Sequence, residues 1–153
     1  MAAIDHVGLS VGDLDAQLAW YAAAFGWRVA APFAIPPLGL RGAFVVSEDG
    51  QAIELLERQG SGGGLRAPDP QAALLTRGLG HVCVRVDDTD AWHARLLAAG
   101  AEERLPPGDA PEPGVRFSFV ADPEGNLVEL LDRPGPVRST PRPHIRPTEK
   151  EES

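Results

Sequence analysis

Apolar and polar residues alternate along residues 4–11, with the two-residue period of a half-buried β-strand. The valines and the leucine of this run face one side, whereas His6, Gly8 and Ser10 face the other. Over residues 14–25 the apolar spacing is that of an amphipathic helix, with an aspartate before it as N-cap and a glycine after it. Further apolar runs predict strands at residues 27–31, 40–47 and 51–57. Together these patterns predict a β-α-β-β-β module.

The same pattern recurs in the second half of the chain at a constant offset, so that His6 falls on His81 and Glu54 falls on Glu129 without any gap. The repeated elements are a strand, a helix and two later strands, at residues 81–86, 88–100, 115–121 and 126–132. One proline-rich stretch in each half is predicted to be a loop, because proline lacks the backbone N–H that a strand uses. These stretches are residues 32–37 and 106–113. The repeat indicates two half-domains that share one core.

The repeat also sets the predicted domain boundaries. A first βαβββ module covers residues 1–59, a Gly-rich linker with a short helix covers 60–78, and a second module covers 79–133. A proline-rich tail over residues 134–153 is predicted to be disordered. The predicted fold class is α+β, with two tandem βαβββ modules forming a curved, mostly antiparallel sheet around a central metal site.

Four polar residues interrupt the apolar strands at matched positions of the two halves, namely His6, Glu54, His81 and Glu129. A polar side chain in such a strand costs free energy unless it is paired. Each lies opposite the apolar side of its strand, so alternation predicts that all four point to the concave face. A single histidine at a strand start is usually a hydrogen-bonded core or edge residue, but a matched His–Glu pair in both halves favours metal ligation. Two histidines and two glutamates suit one divalent ion.

Three other residues are candidates for substrate contact, because alternation places them on the faces of the two histidines. They are Ser10, Cys83 and Arg85. Arg85 could bind an anionic or polyoxygenated substrate, or form a salt bridge to an acid on the sheet. Cys83 is more typical of a small packing residue than of a nucleophile. His93, in the second helix, is expected on the solvated face of that helix.

Composition limits the possible partners. The chain has 153 residues and a formal net charge of −8, and it contains no basic stripe, which argues against nucleic acid or an anionic membrane as a partner. No apolar run approaches the ~20 residues of a transmembrane helix, and the N-terminus lacks the pattern of a signal peptide. A single cysteine excludes an internal disulfide and fits a reducing compartment. A cytoplasmic protein is expected.

Three stretches of the sequence resemble one protein family. They are His6-Val7-Gly8-Leu9-Ser10-Val11 followed by Asp13-Leu14, Trp20-Tyr21 followed by Phe25-Gly26-Trp27, and Asp122-Pro123-Glu124-Gly125-Asn126-Leu127-Val128-Glu129-Leu130. Over residues 4–132 the chain resembles the vicinal oxygen chelate superfamily, which includes glyoxalase I, methylmalonyl-CoA epimerase, extradiol dioxygenases and bleomycin- or fosfomycin-resistance proteins. The fold of that family is the paired βαβββ module, and its metal positions fall on the same four histidines and glutamates.

The His/Glu/His/Glu set looks most like the branch of metal-dependent isomerases, epimerases and glyoxalase-like lyases. The resemblance therefore implies carboxylate-mediated proton transfer on a small carbonyl-containing, vicinal-oxygen substrate, through a metal-stabilised enediolate. Glu129 is the first candidate for the base, and Glu54 is the second. One divalent ion per site is implied (Ni, Co, Zn, Mn or Fe), and so is a homodimer that binds a small-molecule substrate.

Two other functions of the same fold stay open at this point. An Fe(II)-dependent ring-cleaving dioxygenase would require iron and take up oxygen, although four protein ligands leave less space for a catechol and O₂. A small-molecule binding or antibiotic-resistance protein would bind its ligand without help from a metal or from Glu129. The substrate itself is not predicted. Glutathione-binding residues cannot be placed, and the proline- and acid-rich residues 108–114 are untypical of a site for a CoA phosphate.

Overall fold

The computed structural model describes residues 2–137, which fold into two βαβββ modules as predicted. The first module contains β1 (His6–Val11), α1 (Leu14–Phe25), β2 (Arg28–Ile35), a 3-10 turn (Pro36–Leu38), β3 (Leu40–Val46) and β4 (Ala52–Arg58). The linker contains α2 (Pro70–Ala73). The second module contains β5 (Val82–Arg85), α3 (Thr89–Ala98), β6 (Glu102–Asp109), β7 (Arg116–Ala121) and β8 (Leu127–Asp132). Residues 138–153 of the predicted tail lie outside the described residues.

Each module forms one four-stranded sheet, with the strand orders β1-β4-β3-β2 and β5-β8-β7-β6. In each sheet one pair of neighbours is parallel, β1 with β4 and β5 with β8, and the other pairs are antiparallel. The registers repeat as well. Gly8 is the partner of Glu54, and Cys83, which matches Gly8 in the sequence repeat, is the partner of Glu129. The predicted α+β class with mostly antiparallel pairing is confirmed, in the form of two four-stranded sheets.

Prolines lie inside two strands where the sequence predicted loops. β2 contains Pro32, and β6 contains Pro106 and Pro107. Both strands are at the edge of their sheet, so a missing N–H on the outer side removes no hydrogen bond between strands. Both also contain the register shifts of a β-bulge. The loop predictions for these prolines are therefore wrong, because an edge position and a bulge together remove the penalty on which they relied.

The two long helices pack on one face of the sheets and form a common core. Asp13 caps α1 by accepting a hydrogen bond from the backbone N–H of Ala16, and Asp88 caps α3 in the same way from Ala91. The core combines apolar residues of both modules, including Leu14, Tyr21, Phe25, Val45, Leu55, Val84, Leu96, Val120 and Leu130. Each module therefore buries its apolar face with help from the other. None of the described helices is long and apolar enough to cross a membrane.

Polar contacts between the modules anchor α1. The Glu124 carboxylate, in the turn between β7 and β8, accepts hydrogen bonds of 2.8–2.9 Å from the backbone N–H groups of Gly12 and Asp13. Further along the helix, the buried Tyr21 hydroxyl donates to Asp122 at 3.1 Å. Burial, and then the negative charge of Asp122, raises the pKa of Tyr21 well above its usual value. The turn between β7 and β8 therefore forms hydrogen bonds with the residues just before α1 and with the middle of that helix.

Replacing Tyr21 with phenylalanine is expected to lower the free energy of unfolding by about 1–3 kcal/mol, because a hydrogen bond to a buried carboxylate is lost. The folded state keeps Tyr21 protonated, so this stabilisation is complete below the unfolded pKa of about 10 and is lost as the pH rises towards the folded pKa. Urea unfolding near pH 7.5 and near pH 10.5 measures both effects. Tyr21 is the one tyrosine of the chain, so an identical pH dependence of wild type and variant above pH 10 would contradict this account.

Candidate metal and substrate site

In the first module, β1 and β4 bring His6 and Glu54 together. The two strands are parallel neighbours, and His6 Nε2 lies 3.5 Å from a Glu54 carboxylate oxygen. Gly8, the register partner of Glu54, adds no side chain beside that carboxylate. The ring of Phe44 meets the imidazole edge to face, with the ring centroids 5.3 Å apart. The pair is partly buried, with the Glu54 side chain 19% exposed.

The second module repeats this arrangement with His81 and Glu129. His81 Nε2 lies 3.1 Å from a Glu129 carboxylate oxygen, and Phe119 meets the imidazole edge to face at a centroid distance of 5.2 Å. Phe44 and Phe119 also match in the sequence repeat, and each is the register partner of the glutamate in its pair. The sequence prediction assigned these phenylalanines no role in the site, although their place in the repeat was a signal for one.

The two histidines differ in the hydrogen-bond partner of the ring nitrogen Nδ1, which does not face the glutamate. Asp5 lies 2.8 Å from His6 Nδ1, which orients the ring so that Nε2 faces Glu54. The hydrogen bond with Asp5 is the main cause that raises the pKa of His6, with a smaller contribution from the charge of Glu54. The matching position in the second module is Gly80, which has no side chain to do the same. Asp5 was missed in the sequence, where the signal was an acid next to a candidate ligand.

Both pairs fit a divalent metal ion by donor type and by spacing. Imidazole nitrogen and carboxylate oxygen are common ligands of first-row divalent ions. Two donors that each lie about 2.1 Å from one ion, at about 90° to each other, are about 3 Å apart. The observed nitrogen–oxygen separations are 3.5 Å and 3.1 Å. Each pair is therefore suited to bind an ion from two directions.

The two pairs do not combine into one group within the described chain. Among residues 2–137, no three His, Cys, Asp or Glu side chains are placed to hold one metal ion together. A cleft of about 530 Å³ lies between the modules, and its lining includes His6 and Val7 from the first module and Val82 and Cys83 from the second. The structure thus joins each predicted His–Glu pair but leaves the predicted set of four as two halves.

Cys83 lies beside one of the two glutamates. It is the register partner of Glu129 on the neighbouring strand, so the two side chains share one face of the sheet. Partial desolvation of the thiol, and then the negative charge of Glu129, raises the pKa of Cys83 to about 12, although the residue as a whole is exposed. At neutral pH the thiol is therefore protonated, which suits a hydrogen-bond donor and not a nucleophile. Gly8 occupies the matching position in the first module, so the register partner of Glu54 carries no thiol.

The other two candidates for substrate contact lie further along the same strands. Ser10 lines a separate cavity of about 300 Å³ beside the Gly-rich linker, together with Gly12 and Glu124. Arg85 ends β5, and its guanidinium donates a hydrogen bond to the main-chain carbonyl of Arg133. Ser10 is therefore placed with the linker, whereas Arg85 is placed beside a second arginine at the end of the sheet.

The linker covers part of the site face of the second module. Ala67 and Ala73 are buried there and pack in one cluster with Phe119 and Leu127. Because Phe119 contacts His81, this part of the linker forms a wall behind the second His–Glu pair. The sequence predicted a flexible segment with a short helix, and its packing on the sheet was not foreseen.

His93 is buried and not solvated, which corrects the sequence prediction. Its Nδ1 lies 3.0 Å from the Ser118 hydroxyl, and its Nε2 lies 2.9 Å from a Glu103 carboxylate oxygen. These contacts join α3 to β7 and β6 on the helix side of the second sheet. Ser118 is fully buried, so no substrate can reach its hydroxyl. The cluster is structural and lies apart from the two His–Glu pairs.

Comparison with known proteins identifies the family of this chain. A family model described as Glyoxalase/Bleomycin resistance protein/Dioxygenase superfamily matches residues 3–130. An ethylmalonyl-CoA/methylmalonyl-CoA epimerase of Cereibacter sphaeroides is 34% identical over 136 residues, which cover 83% of this chain and 95% of the relative. A lactoylglutathione lyase of Haemophilus influenzae is 27% identical over 127 residues, which cover 83% of this chain and 90% of the relative.

A solved structure shows the same architecture. The glyoxylase/bleomycin resistance protein/dioxygenase domain from Frankia sp. EAN1pec superposes with a TM-score of 0.68 and 25% sequence identity. The matched region covers 86% of this chain and 97% of that domain. The likeness therefore extends over both βαβββ modules and is not limited to one of them.

Proposed function

We propose, because this chain belongs to the Glyoxalase/Bleomycin resistance protein/Dioxygenase superfamily, that it is a metal-dependent isomerase, epimerase or lyase. The two relatives named above are enzymes, one an epimerase and one a lyase. The substrate we propose is a small carbonyl compound with a second oxygen next to the carbonyl carbon. The observation that carries this proposal is the His–Glu pair that recurs, beside a phenylalanine, in both sheets.

Four side chains would hold the metal ion, namely His6, Glu54, His81 and Glu129. A divalent ion bound there supplies a Lewis acid that makes the C–H bond next to the substrate carbonyl more acidic. Nickel, cobalt, zinc, manganese and iron all accept this mixture of nitrogen and oxygen ligands. The phenylalanine beside each imidazole limits its rotation, and the partial burial of each pair reduces competition from water.

Glu129 is the proposed base. Its register partner on β5 is Cys83, whose thiol lies on the same face of the sheet and can donate a hydrogen bond to the carboxylate. A carboxylate in this position can accept the proton from the carbon next to the carbonyl and return it. If the proton is returned to the neighbouring carbon, the substrate is isomerised. If a proton is returned to the opposite face of the same carbon, the configuration of that carbon is inverted. Glu54 is the second candidate and would serve the opposite face.

We further propose that a second copy of this chain completes the site. Residues 2–137 of one chain contain two His–Glu pairs and no group of three ligands. The end of the linker and the first residue of the second module expose three leucines, and one of them, Leu79, lines a cavity together with His81. The three are Leu74, Leu75 and Leu79. A homodimer in which the first pair of one copy faces the second pair of the other would assemble four ligands and cover this apolar surface.

Metal content is the first test of the proposed function. The purified protein is expected to hold about one divalent ion per chain and to lose it in the His6→Ala and Glu129→Gln variants, because each removes one of four ligands. Elemental mass spectrometry measures the metal in each sample. Glu48→Gln changes the same charge in an exposed turn and should keep the ion. A wild-type protein that binds none of the five candidate metals, even after incubation with each, would refute the proposal.

The names of the relatives suggest which substrates to assay first. Ethylmalonyl-CoA, methylmalonyl-CoA and lactoylglutathione appear in those names, and each has a carbonyl group next to the reacting carbon. Entry of solvent deuterium at that carbon, without oxygen uptake, would favour the proposed proton transfer. Oxygen uptake that requires iron would favour a dioxygenase instead.

A further inference from the structure

Two guanidinium groups extend the site face of the second module beyond Glu129. Arg85 is the register partner of Leu131. This pair lies two residues further along the two strands than the pair formed by Cys83 and Glu129. Its guanidinium reaches the main-chain carbonyl of Arg133. Arg133 directly follows β8 and is two residues beyond Leu131, so strand alternation places its side chain on the face that carries Glu129 and Leu131. Both arginines therefore lie on the same side of the sheet as the proposed base.

Arg133 has fewer partners than its burial requires. Its side chain is 15% exposed, and its Nη2 donates a hydrogen bond of 2.6 Å to Glu112. Its Nε is buried and has no hydrogen-bond partner within residues 2–137. A guanidinium has five N–H donors, and a buried donor without an acceptor costs free energy. Arg133 thus keeps donors available for a second acceptor at the end of the site face.

The carboxylate that contacts Arg133 comes from the turn between β6 and β7. Glu112 lies within this turn, which is closed by backbone hydrogen bonds from Ala110 to Val115 and from Val115 to Glu112. The Glu112 side chain is 22% exposed and belongs to neither apolar cluster of the fold. Its carboxylate can therefore leave Arg133 by rotation of the side chain, while the backbone of the turn stays in place.

We propose that Arg133 and Arg85 bind an anionic group of the substrate, and that Glu112 occupies this place in the free protein. The substrate part of this inference rests on the proposed function. The planar fork of arginine suits a carboxylate or a phosphate. A strand advances about 3.3 Å per residue, so Arg85 lies about 7 Å along the sheet from Glu129. The substrate is therefore a carbonyl compound with a carboxylate or phosphate a few bonds from the reacting carbon.

Anion titration of the full-length protein tests this inference, with inorganic phosphate and succinate as probes and isothermal titration calorimetry as the readout. Glu112→Gln removes the competing carboxylate and is expected to tighten binding of the preferred probe about tenfold. Arg133→Lys keeps the charge but loses the fork, and is expected to weaken binding about tenfold. The matched control is Asp109→Asn, because Asp109 is close to the same turn but pairs with Arg116. It should change the affinity less than about twofold.

The two probes also separate the possible anionic groups. Tighter binding of phosphate than of succinate by the Glu112→Gln variant would assign a phosphate, and the reverse would assign a carboxylate. An equal increase in anion affinity in the Glu112→Gln and Asp109→Asn variants would overturn the inference, because the change in net charge alone would then explain both increases. Unchanged binding in the Arg133→Lys variant would also overturn it, and so would a Glu112→Gln variant that binds neither probe.

Metal analysis of the same samples keeps this inference distinct from the proposed function. Anion binding that follows the expected order in a protein without metal would reject the proposed function and leave the anion site standing. A normal metal content without anion binding would reject the anion site alone. None of the three substitutions changes a proposed metal ligand, so the two readouts are independent.

Discussion

Replacing Glu129 with glutamine is expected to lower turnover by at least about 100-fold, because an amide cannot accept the proton that the carboxylate removes. A positioned acid or base contributes about 10²–10⁴-fold to a reaction rate. The fold should be preserved, since the Glu129 side chain lies on the face of β8 that is opposite Val128 and Leu130 in the core. Solvent deuterium exchange at the carbon next to the carbonyl measures the effect, beside the metal content and the urea midpoint of the same sample.

Glu54→Gln is the matched variant for this experiment. Both substitutions remove one proposed metal ligand, but only Glu129→Gln removes the proposed base. If Glu129 is the base, added metal restores part of the exchange in Glu54→Gln and none in Glu129→Gln. The opposite pattern would transfer the role of base to Glu54. Restoration in both variants would show that neither glutamate moves the proton, and the mechanism proposed here would be wrong.

Two inactive variants are expected to recover metal binding when they are combined. One is a double variant that replaces His6 and Glu54 with alanine, and the other replaces His81 and Glu129 with alanine. In a site shared by two copies, a mixed dimer has one complete set of four ligands and one set without any. Random pairing makes half of the dimers mixed, so about a quarter of the wild-type metal content and activity should return.

Unfolding the two double variants together and refolding them allows the subunits to mix, and each variant refolded alone is the control. Metal content and activity are then measured on all three samples. A mixture that stays free of metal would contradict a shared site, because both halves of the ligand set are present in it. The four ligands would then have to meet within one chain, by closure of the cleft between the two modules.

Local patterns were sufficient to predict the modules, because the period of a strand or helix depends on residues only two to four positions apart. Alternation alone put His6 on the face opposite the valines of β1, and it did the same for His81 in β5. The constant offset of the repeat is matched in the structure by equal registers, seen in the Gly8–Glu54 and Cys83–Glu129 partners.

Predictions failed where the answer depended on a distant partner. Pro106 lies in a strand because β6 is at the edge of its sheet, and the strand order is not visible in the residues around it. His93 is buried because Ser118 and Glu103 provide hydrogen bonds from two strands of the second sheet. Helical spacing reports which residues share a face, but not which polar groups are available opposite that face.

The sequence by itself determined the two-module fold, the family and the matched positions of the two histidines and two glutamates, because periodicity and a constant repeat are properties of residue order. Only the tertiary structure decided that the two His–Glu pairs stay separate within residues 2–137. It also decided that Glu112 lies on Arg133, beyond the proposed base. Both relations depend on how segments far apart in the chain pack against each other, and no local pattern of residues encodes the distance between such segments.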